Sequence, residues 1–461
     1  MKTSIYTFLI ALFIAVPSIA QKQTPPKGAE PKDFTLPKKE VVNLDNGLQL
    51  VMVPYGSIPK ATISITLKTG NINETKDQVW LADLLGDLMK EGSTADYSIK
   101  DKLAGMGGNL NIGVGSHNTS LSTDVLSEFA PDALKILADV LENPKLPQSE
   151  LDRLKNNMKR NLTVSLSTPG AQARKDFFAE MYPDHPYGRL YPTSEQVDSY
   201  TLNDVKSFYD ANFGAQRTTI YVVGNFDAEK VKEVVKSQLA EWRKGPKENY
   251  PVAQAQSTGK VQIIDRPGAP QSTIYYGLPV ADPSSKDYIP LDVMNTLLGG
   301  SFGSRITSNI REDKGYTYSP SSALVANYKS GLWYESADVT TEFTGASVDE
   351  IKKEIVRLQN EAPSKAELDG IKNYKSGLYV LQNSTPYGII GQLNFLDVHN
   401  LDESFLVNQV KNINAVTPQQ VQEMAKKYIQ PEKMTLIVVG DKEKIKDQVE
   451  ETIAQPAKKE Q

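Results

Sequence analysis

The chain has 461 residues, with 51 basic residues against 56 acidic residues and no cysteine. Its net charge of −5 argues against a nucleic-acid partner, because binding to phosphates depends on clustered positive charge. The lack of cysteine excludes disulfides, a cysteine nucleophile, thiolate zinc sites and iron–sulfur clusters. The length exceeds a single ordinary core, so two or more domains are expected.

Residues 1–20 predict a signal peptide. Met1-Lys2 gives a positive start, residues 6–16 form an apolar run, and small residues lead to a cleavage site after Ala20. The run is too short to stay as a membrane span, and an uncleaved anchor is the alternative. No later stretch is apolar enough to cross a bilayer, so we expect a soluble protein exported to the periplasm of a Gram-negative bacterium or to the exterior.

An internal repeat organises the rest of the chain. One segment runs from Thr201 to Gly224 and a second from Thr417 to Gly440, at a constant offset of 216 residues. Each opens with a threonine suited to cap a helix, continues into a β-branched strand and is followed by a second helix. The constant offset favours duplication over chance.

The duplication divides the chain into two homologous halves, residues 40–245 and 258–455, joined by a polar linker at 246–257. Residues 21–39 are interpreted as a flexible lead-in and residues 456–461 as a tail. Each half begins with strands, continues with a buried helix and returns to strands before its last helices. This order predicts an α+β fold in which each half has an antiparallel-dominated sheet with helices packed on one face.

The buried helix of the first half, predicted at residues 79–90, carries a motif. Residues 80–93 resemble the zinc-binding helix of M16 (insulinase-like) peptidases, where two histidines one turn apart hold zinc and a glutamate is the general base. The matching positions hold Asp83, Gly86 and Asp87. Gly86 cannot accept a proton, and two carboxylates suit hard cations better than zinc. The aspartates would form a weak hard-cation site or a solvated helix face, and the resemblance implies a chain without catalytic residues or metal ligands.

The remaining zinc ligand of the family is a glutamate on a later helix, which we expect within residues 151–166. Here no acidic residue lies between Asp152 and Asp176. Histidine offers no substitute, because no two histidines in the chain are spaced one helical turn apart. The chain has three histidines: His117, His185 and His399.

The second half carries the sharper match. The stretch after its buried helix, predicted at residues 288–298, resembles the Gly-Gly…Ser-Arg…Arg…Gly…Tyr-Ser stretch of the M16 family. We expect Gly299 and Gly300 to let a loop pack closely against other backbone and open a helix. We expect Gly315 to end that helix, and a strand to start at residues 316–319.

In M16 peptidases an arginine and a tyrosine of this stretch contact the bound peptide near the reacting carbonyl, and the matching residues are Arg311 and Tyr318. A guanidinium donates several hydrogen bonds in a fixed fork and a phenol donates one, which suits an oxygen that gains negative charge. The resemblance therefore implies that Arg311 and Tyr318, with Gly299 and Gly300, bind substrate. Without the resemblance, Arg311 would be interpreted as a surface or ion-pairing residue.

In the short, two-domain M16 subfamily, the peptidase is often a pair in which one chain brings the zinc motif and the other the arginine and tyrosine. The resemblance implies that this chain is the inactive subunit, with no cofactor of its own. Its expected partners are a zinc-bearing homologue and an oligopeptide or unfolded peptide enclosed between the two chains. The alternative is a non-enzymatic peptide-binding or scaffold protein of the same fold, as inactive family members are in respiratory assemblies.

Overall fold

The computed structural model describes residues 35–92 and 98–454. The predicted signal peptide, most of the lead-in and the tail lie outside these residues. The described chain contains eleven β-strands in two sheets. Those of the first sheet are β1 Glu40–Asn43, β2 Gln49–Pro54, β3 Lys60–Leu67, β4 Asn111–Val114, β5 Thr119–Leu126 and β6 Thr218–Gly224. Those of the second are β7 Val261–Asp265, β8 Gln271–Val280, β9 Ser321–Asn327, β10 Ser330–Thr340 and β11 Thr435–Gly440.

Helices surround both sheets. Those of the first half are α1 Leu81–Glu91, α2 Ile99–Gly105, α3 Ala130–Glu142, α4 Gln148–Leu166, α5 Pro169–Met181, α6 Ser194–Ser199, α7 Leu202–Asn212 and α8 Ala228–Leu239. Those of the second are α9 Tyr288–Leu298, α10 Arg305–Thr307, α11 Thr344–Asn360, α12 Lys365–Gln382, α13 Pro386–His399, α14 Ser404–Val407, α15 Gln409–Ala415, α16 Pro418–Tyr428 and α17 Lys442–Ala454. Within the described ranges, none of the helices combines the length and the apolar composition needed to cross a membrane.

The two sheets share one topology. The first has the strand order β1-β2-β6-β3-β5-β4 and the second β7-β11-β8-β10-β9. In each sheet one pair is parallel, β2 with β6 and β7 with β11, while the other pairs are antiparallel. The predicted α+β class with two antiparallel-dominated sheets is therefore confirmed, and β1 is an addition to the first sheet.

Threonine caps fix the repeated helices α7 and α16. The Thr201 hydroxyl accepts from the Asp204 N–H at 3.2 Å, and the Asp204 carboxylate accepts from the Thr201 N–H at 2.8 Å. Thr417 and Gln420 make the same reciprocal pair at 3.2 and 2.9 Å. Such caps satisfy backbone donors that the helix leaves free and contribute about 1 kcal/mol each. The predicted capping role of both threonines is confirmed.

The second face of each sheet carries a helix from the opposite half. Helix α5 of the first half packs Phe177 beside Tyr275 in a cluster with the second sheet. Helix α13 of the second half packs Ile390 in a cluster with Tyr221 of the first sheet. The expectation that helices cover one face only is thus incomplete, because the halves exchange one helix each.

These exchanged helices begin alike. Both start at a Thr-Pro pair, and Pro386 follows Pro169 by 217 residues. Thr168 accepts from the Ala171 N–H and Thr385 from the Gly388 N–H, so each threonine is the N-cap. Proline suits the first helical position because the N–H that it lacks would have no partner there. This second repeat was present in the sequence but absent from the prediction.

The segment that joins the halves is packed against them. Tyr250 and Ala253 are only 6% and 7% exposed. Both belong to the hydrophobic cluster that α5 forms with the second sheet. The Tyr250 hydroxyl donates to the His117 carbonyl at 2.7 Å, and the Gln256 N–H donates to the Met181 carbonyl at 3.0 Å. The linker is therefore fixed by contacts that its polar composition does not indicate.

Candidate functional site

A buried glutamate holds the start of helix α1. Glu74 accepts from the Ala82 N–H at 2.9 Å and from the Trp80 N–H at 3.2 Å, which satisfies two donors at the helix N-terminus. Trp80 itself has a φ of +66°, a left-handed conformation that is strained for a bulky residue. Burial raises the pKa of Glu74 to about 8, and the nearby charge of Asp83 adds to this. Glu74 is therefore used to position α1.

Asp83 takes part in the same network. The Asn71 side-chain amide donates to the Asp83 carboxylate at 2.8 Å and to that of Glu74 at 3.2 Å. Asp83 is half-buried, and burial raises the pKa of its carboxyl. A fully solvated face is thus the wrong description of Asp83, whose carboxylate is engaged in a structural hydrogen bond.

Gly86 and Asp87 occupy the remaining motif positions. Gly86 is buried, and a Cβ at this position would lie 3.1 Å from Val114 Cγ2 and 3.4 Å from Ile112 Cγ2. The missing side chain therefore lets α1 pack closely on strand β4. The Asp87 side chain is 43% exposed and lies 3.5 Å from Lys90 Nζ, as expected for a solvated helix face.

Helix α4, where a third zinc ligand was expected, turns an apolar stripe inward. Arg153 of α4 forms an ion pair with Glu91 at the end of α1, at 2.7 Å, and so links the two helices. In the part of the chain that the structure describes, no three histidine or acidic side chains are grouped to hold a metal ion. With Asp83 engaged by Asn71 and no side chain at Gly86, the residues present do not fit the zinc of the M16 motif. The buried α4 residues are Leu151, Leu154, Met158 and Leu162.

The arginine–tyrosine element of the second half lies on an unusual helix. Residues Arg305–Thr307 are α-helical, and Ser308–Asp313 continue as a π-helix, a form often found at functional sites. Gly315, with a φ of +67°, follows the last turn and ends the helix as predicted. The strand predicted at residues 316–319 is reduced to one isolated antiparallel bridge between Thr317 and Val339, and β9 itself begins at Ser321, after Pro320, which has no N–H for the ladder.

Arg311 lies between two exposed aromatic rings. Its guanidinium carbon is 4.3 Å from the centroid of Phe302 and 4.7 Å from that of Tyr318, which are 69% and 77% exposed. The quadrupoles of both rings attract the cation, and Glu312 pairs with Arg311 Nε at 3.0 Å. The structure thus brings Arg311 and Tyr318 together and adds Phe302. Phe302 was not predicted as a site residue, although a lone aromatic residue in a loop rich in glycine and serine could have indicated it.

The two glycines of this stretch are explained by close packing. A Cβ on Gly299 would lie 2.5 Å from Glu335 Oε2, and one on Gly300 would lie 2.7 Å from Asn295 Nδ2. The predicted close approach is therefore present, but the nearest atoms belong to side chains, and the helix expected to open here begins only at Arg305. Glu335 is fully buried on β10 without an ion-pair partner in the described chain, and burial raises its pKa well above the usual range.

All three histidines meet where the halves join. The rings of His117 and His399 are 6.5 Å apart, and Tyr187 contacts the rings of both His117 and His185. His117 Nε2 and the Tyr187 hydroxyl form a hydrogen bond of 2.6 Å. Burial lowers the pKa of His117 and of His399 to about 4. Positions this far apart in the sequence gave no sign of the cluster.

The motif residues thus form two separate groups. Helix α1 packs against β4, α4 and α7 of its own half. The helix that carries Arg311 packs against α9 and α11 of the second half. Only the second group combines a cation with exposed rings, so it is the better candidate for contact with a ligand.

Comparisons with known proteins agree with this architecture. Residues 51–191 match the family model for insulinase (peptidase family M16), and residues 199–375 match that for the peptidase M16 inactive domain. An uncharacterised zinc protease from Rickettsia felis is 23% identical over 356 residues, which cover 75% of this chain and 84% of the relative. A non-peptidase homologue from Helicobacter pylori is 22% identical over 403 residues, which cover 84% and 91%.

Solved structures share the fold. A protease from Helicobacter pylori aligns with a TM-score of 0.81 at 20% identity, covering 88% of this chain and 100% of the other. A chain of complex III2 from Candida albicans aligns with a TM-score of 0.73 at 15% identity, covering 90% and 99%. The two family matches together cover most of both halves, and the two sheets have the same topology. This chain therefore belongs to the M16 peptidase family.

Proposed function

We propose that this chain is the non-catalytic subunit of an exported M16-type zinc metallopeptidase heterodimer. The observation that carries the proposal is the contrast between the two motif positions. At α1, Gly86 is packed against β4 and Asp83 is bonded to Asn71, so neither a base nor a zinc ligand is available. At the second position, the partly buried Arg311 lies against the exposed ring of Tyr318.

The chemical contribution of the chain follows from the Phe302–Arg311–Tyr318 stack. The rings restrict the guanidinium, so less conformational entropy is lost when it binds a carbonyl oxygen. A fixed cation beside a carbonyl stabilises the negative charge that develops there during peptide hydrolysis. Zinc, the attacking water and the general base would come from the homologous partner.

The same proposal fixes the substrate class. Enclosure of a peptide between two chains excludes water, and strand addition to a sheet edge reads backbone rather than side chains. We therefore propose oligopeptides or unfolded segments as substrates. The proposed compartment is the periplasm or the exterior, which follows from the predicted signal peptide.

The second candidate is a non-enzymatic peptide-binding or scaffold protein. It is favoured by the non-peptidase homologue from Helicobacter pylori and by the complex III2 chain, which has this fold within an assembly. A scaffold does not require an arginine held between two exposed rings, which is why we place this candidate second.

The test is reconstitution. The chain is purified alone and together with a homologue from the same genome that has an intact zinc motif, and cleavage of a fluorogenic peptide is measured with and without a zinc chelator. We expect no cleavage by this chain alone and chelator-sensitive cleavage by the pair, above that of the homologue alone. Zinc-dependent cleavage by this chain alone would falsify the proposal. A tight homodimer that binds peptide and does not stimulate the homologue would favour the scaffold.

A further inference from the structure

A small cavity lies where the first half meets the second sheet. Its volume is about 180 Å³, and its lining comes from the start of α1, from α5 and from strand β9 with its neighbour β10. Pockets for drug-sized molecules measure roughly 300–1,000 Å³, so this cavity has room for one side chain or chain end and not for a whole metabolite.

Two arginines that lack acidic partners face this cavity. Arg174 on α5 and Arg189 after Tyr187 both line it, and among the described residues neither lies within 4.0 Å of a carboxylate. Arg174 lies over the Phe178 ring, 5.3 Å from its centroid, and Arg189 donates a hydrogen bond to the Glu74 carbonyl at 3.0 Å. Arg189 is half-buried and Arg174 is exposed, so one arginine lies within the cavity wall and the other at its solvent side.

The acidic residue of the lining, Glu74, attracts the charge of Arg189 but forms no ion pair with either arginine in the described chain. Both carboxylate oxygens of Glu74 accept hydrogen bonds from the N-terminus of α1 and from Asn71, so this group is already satisfied. Around the arginines the walls are aromatic, with Trp80, Phe178 and Tyr334. Two guanidinium groups on one cavity can bind an anion through charge-assisted hydrogen bonds.

We propose that this cavity binds a carboxylate of the captured peptide, between Arg174 and Arg189. The inference rests on the proposed capture of peptides and adds a preference that backbone recognition cannot supply. Carboxylates are the anionic groups of ordinary peptides, and the guanidinium fork matches them in a bidentate geometry. The carboxylate has two sources, an Asp or Glu side chain or the C-terminus, and both fit the volume.

The experiment compares three labelled peptides of one length by fluorescence anisotropy. The first has glutamine at its centre and an amidated C-terminus, the second has glutamate in place of that glutamine, and the third has a free C-terminus. We expect the glutamate peptide or the free-terminus peptide to bind about tenfold more tightly than the neutral one, as for a charge-assisted hydrogen bond. Which of the two binds more tightly identifies the source of the carboxylate.

The variants are Arg174→Gln and Arg189→Gln, with Arg160→Gln as the matched control. Arg160 is an exposed arginine of α4 without an ion-pair partner in the described chain and does not line the cavity. We expect either cavity variant to remove the preference for the glutamate or free-terminus peptide, while Arg160→Gln keeps the preference. Arg174 is exposed, so its substitution is not expected to affect folding even if that of Arg189 does. Equal affinity of the wild-type chain for all three peptides would overturn the proposal.

A second measurement separates this inference from the proposed function. N-acetylglutamate amide and N-acetylglutamine amide are titrated against the intact chain, with the fluorescence of Trp80 as the signal, because Trp242 and Trp333 are buried in the two cores. A response to the glutamate compound alone, lost in Arg174→Gln, supports the cavity even if no long peptide is captured. The same response to both compounds, or to neither, rejects it.

Discussion

The two halves of this chain have the same sheet topology and different chemistry. In the first half the motif helix α1 has become a packing element, with Gly86 against β4 and Asp83 within a hydrogen-bond network. In the second half the motif loop keeps Arg311 at the surface, between two exposed rings. The two halves thus share a fold, whereas the side chains at their motif positions make different contacts.

The strand interiors differ as well. When the two sheets are superposed strand by strand, β5 matches β10. In this match Glu335 of β10 occupies the position that Leu121 holds in β5. Both are 0% exposed, but Leu121 belongs to an apolar core and Glu335 is a buried carboxyl. The second half therefore bears the free-energy cost of a buried carboxyl beside Gly299, whereas the first half has an apolar side chain at that position.

The largest effect is expected for Arg311→Ala in the reconstituted heterodimer. Removal of a cation that stabilises developing charge should lower turnover about a hundredfold, with little change in assembly. Peptide cleavage and size-exclusion chromatography measure the two quantities. Arg357→Ala, at an arginine that is 54% exposed and pairs with Glu354, is the control and should leave turnover unchanged. If both variants behave alike, Arg311 has no part in catalysis.

A smaller effect is expected when the first half is returned toward the motif by Gly86→Glu. The new Cβ meets Val114 at 3.1 Å and the carboxylate would be buried, so the free energy of unfolding should fall by about 2–4 kcal/mol. Urea denaturation measures this. Gly377→Glu is the control, because Gly377 is an exposed helical glycine with no atom near the Cβ position. Equal stability of the two variants would show that Gly86 is not needed for packing.

The substitution Glu335→Leu would give the second sheet an apolar side chain at the position that Leu121 holds in the first sheet. We expect the free energy of unfolding at neutral pH to rise by about 1–3 kcal/mol, because an apolar side chain needs no hydrogen-bond partner. The raised pKa of Glu335 means that folding takes up a proton, so the gain should increase as pH rises above the unfolded value of about 4.3. The reverse change, Leu121→Glu, should destabilise the first sheet. A loss of stability in Glu335→Leu would mean that the carboxyl has a needed partner.

The smallest effect concerns the histidine cluster. Burial lowers the pKa of His117 and His399 to about 4, with a contribution from the other histidines at His117 and a partial offset by Asp282 at His399. The unfolded chain, with a histidine pKa of about 6.5, binds protons first as pH falls, so stability is present above that value and is lost toward pH of about 4. We expect a loss of about 1 kcal/mol per histidine from about pH 7 to about pH 5.5. Urea denaturation at both pH values should show a smaller loss for His399→Gln than for the wild type.

Periodicity and turn chemistry predicted much of the fold. The predicted helix at residues 288–298 is α9, with the same bounds, and both repeat threonines cap their helices. Such features depend on local sequence. The exchanged helices could not be assigned in this way, because an apolar stripe does not indicate which sheet it will cover.

The candidate site was predicted in part for the same reason. The pairing of Arg311 with Tyr318 followed from the motif, but Phe302 and the cavity arginines depend on how loops are folded. The gathering of the three histidines is a consequence of tertiary contacts across both halves. The strand expected at residues 316–319 is only a single bridge at Thr317, because Pro320 has no N–H to continue the ladder into β9.

The exchange of α5 and α13 has a consequence for how this chain can be divided. A cut within the linker would leave each half with a bare sheet face and with a helix whose binding surface is on the other fragment. Each fragment should be insoluble when it is expressed alone. When the two fragments are expressed together, they should associate and give soluble protein. We therefore expect the two halves to unfold as a single cooperative unit although each has its own sheet.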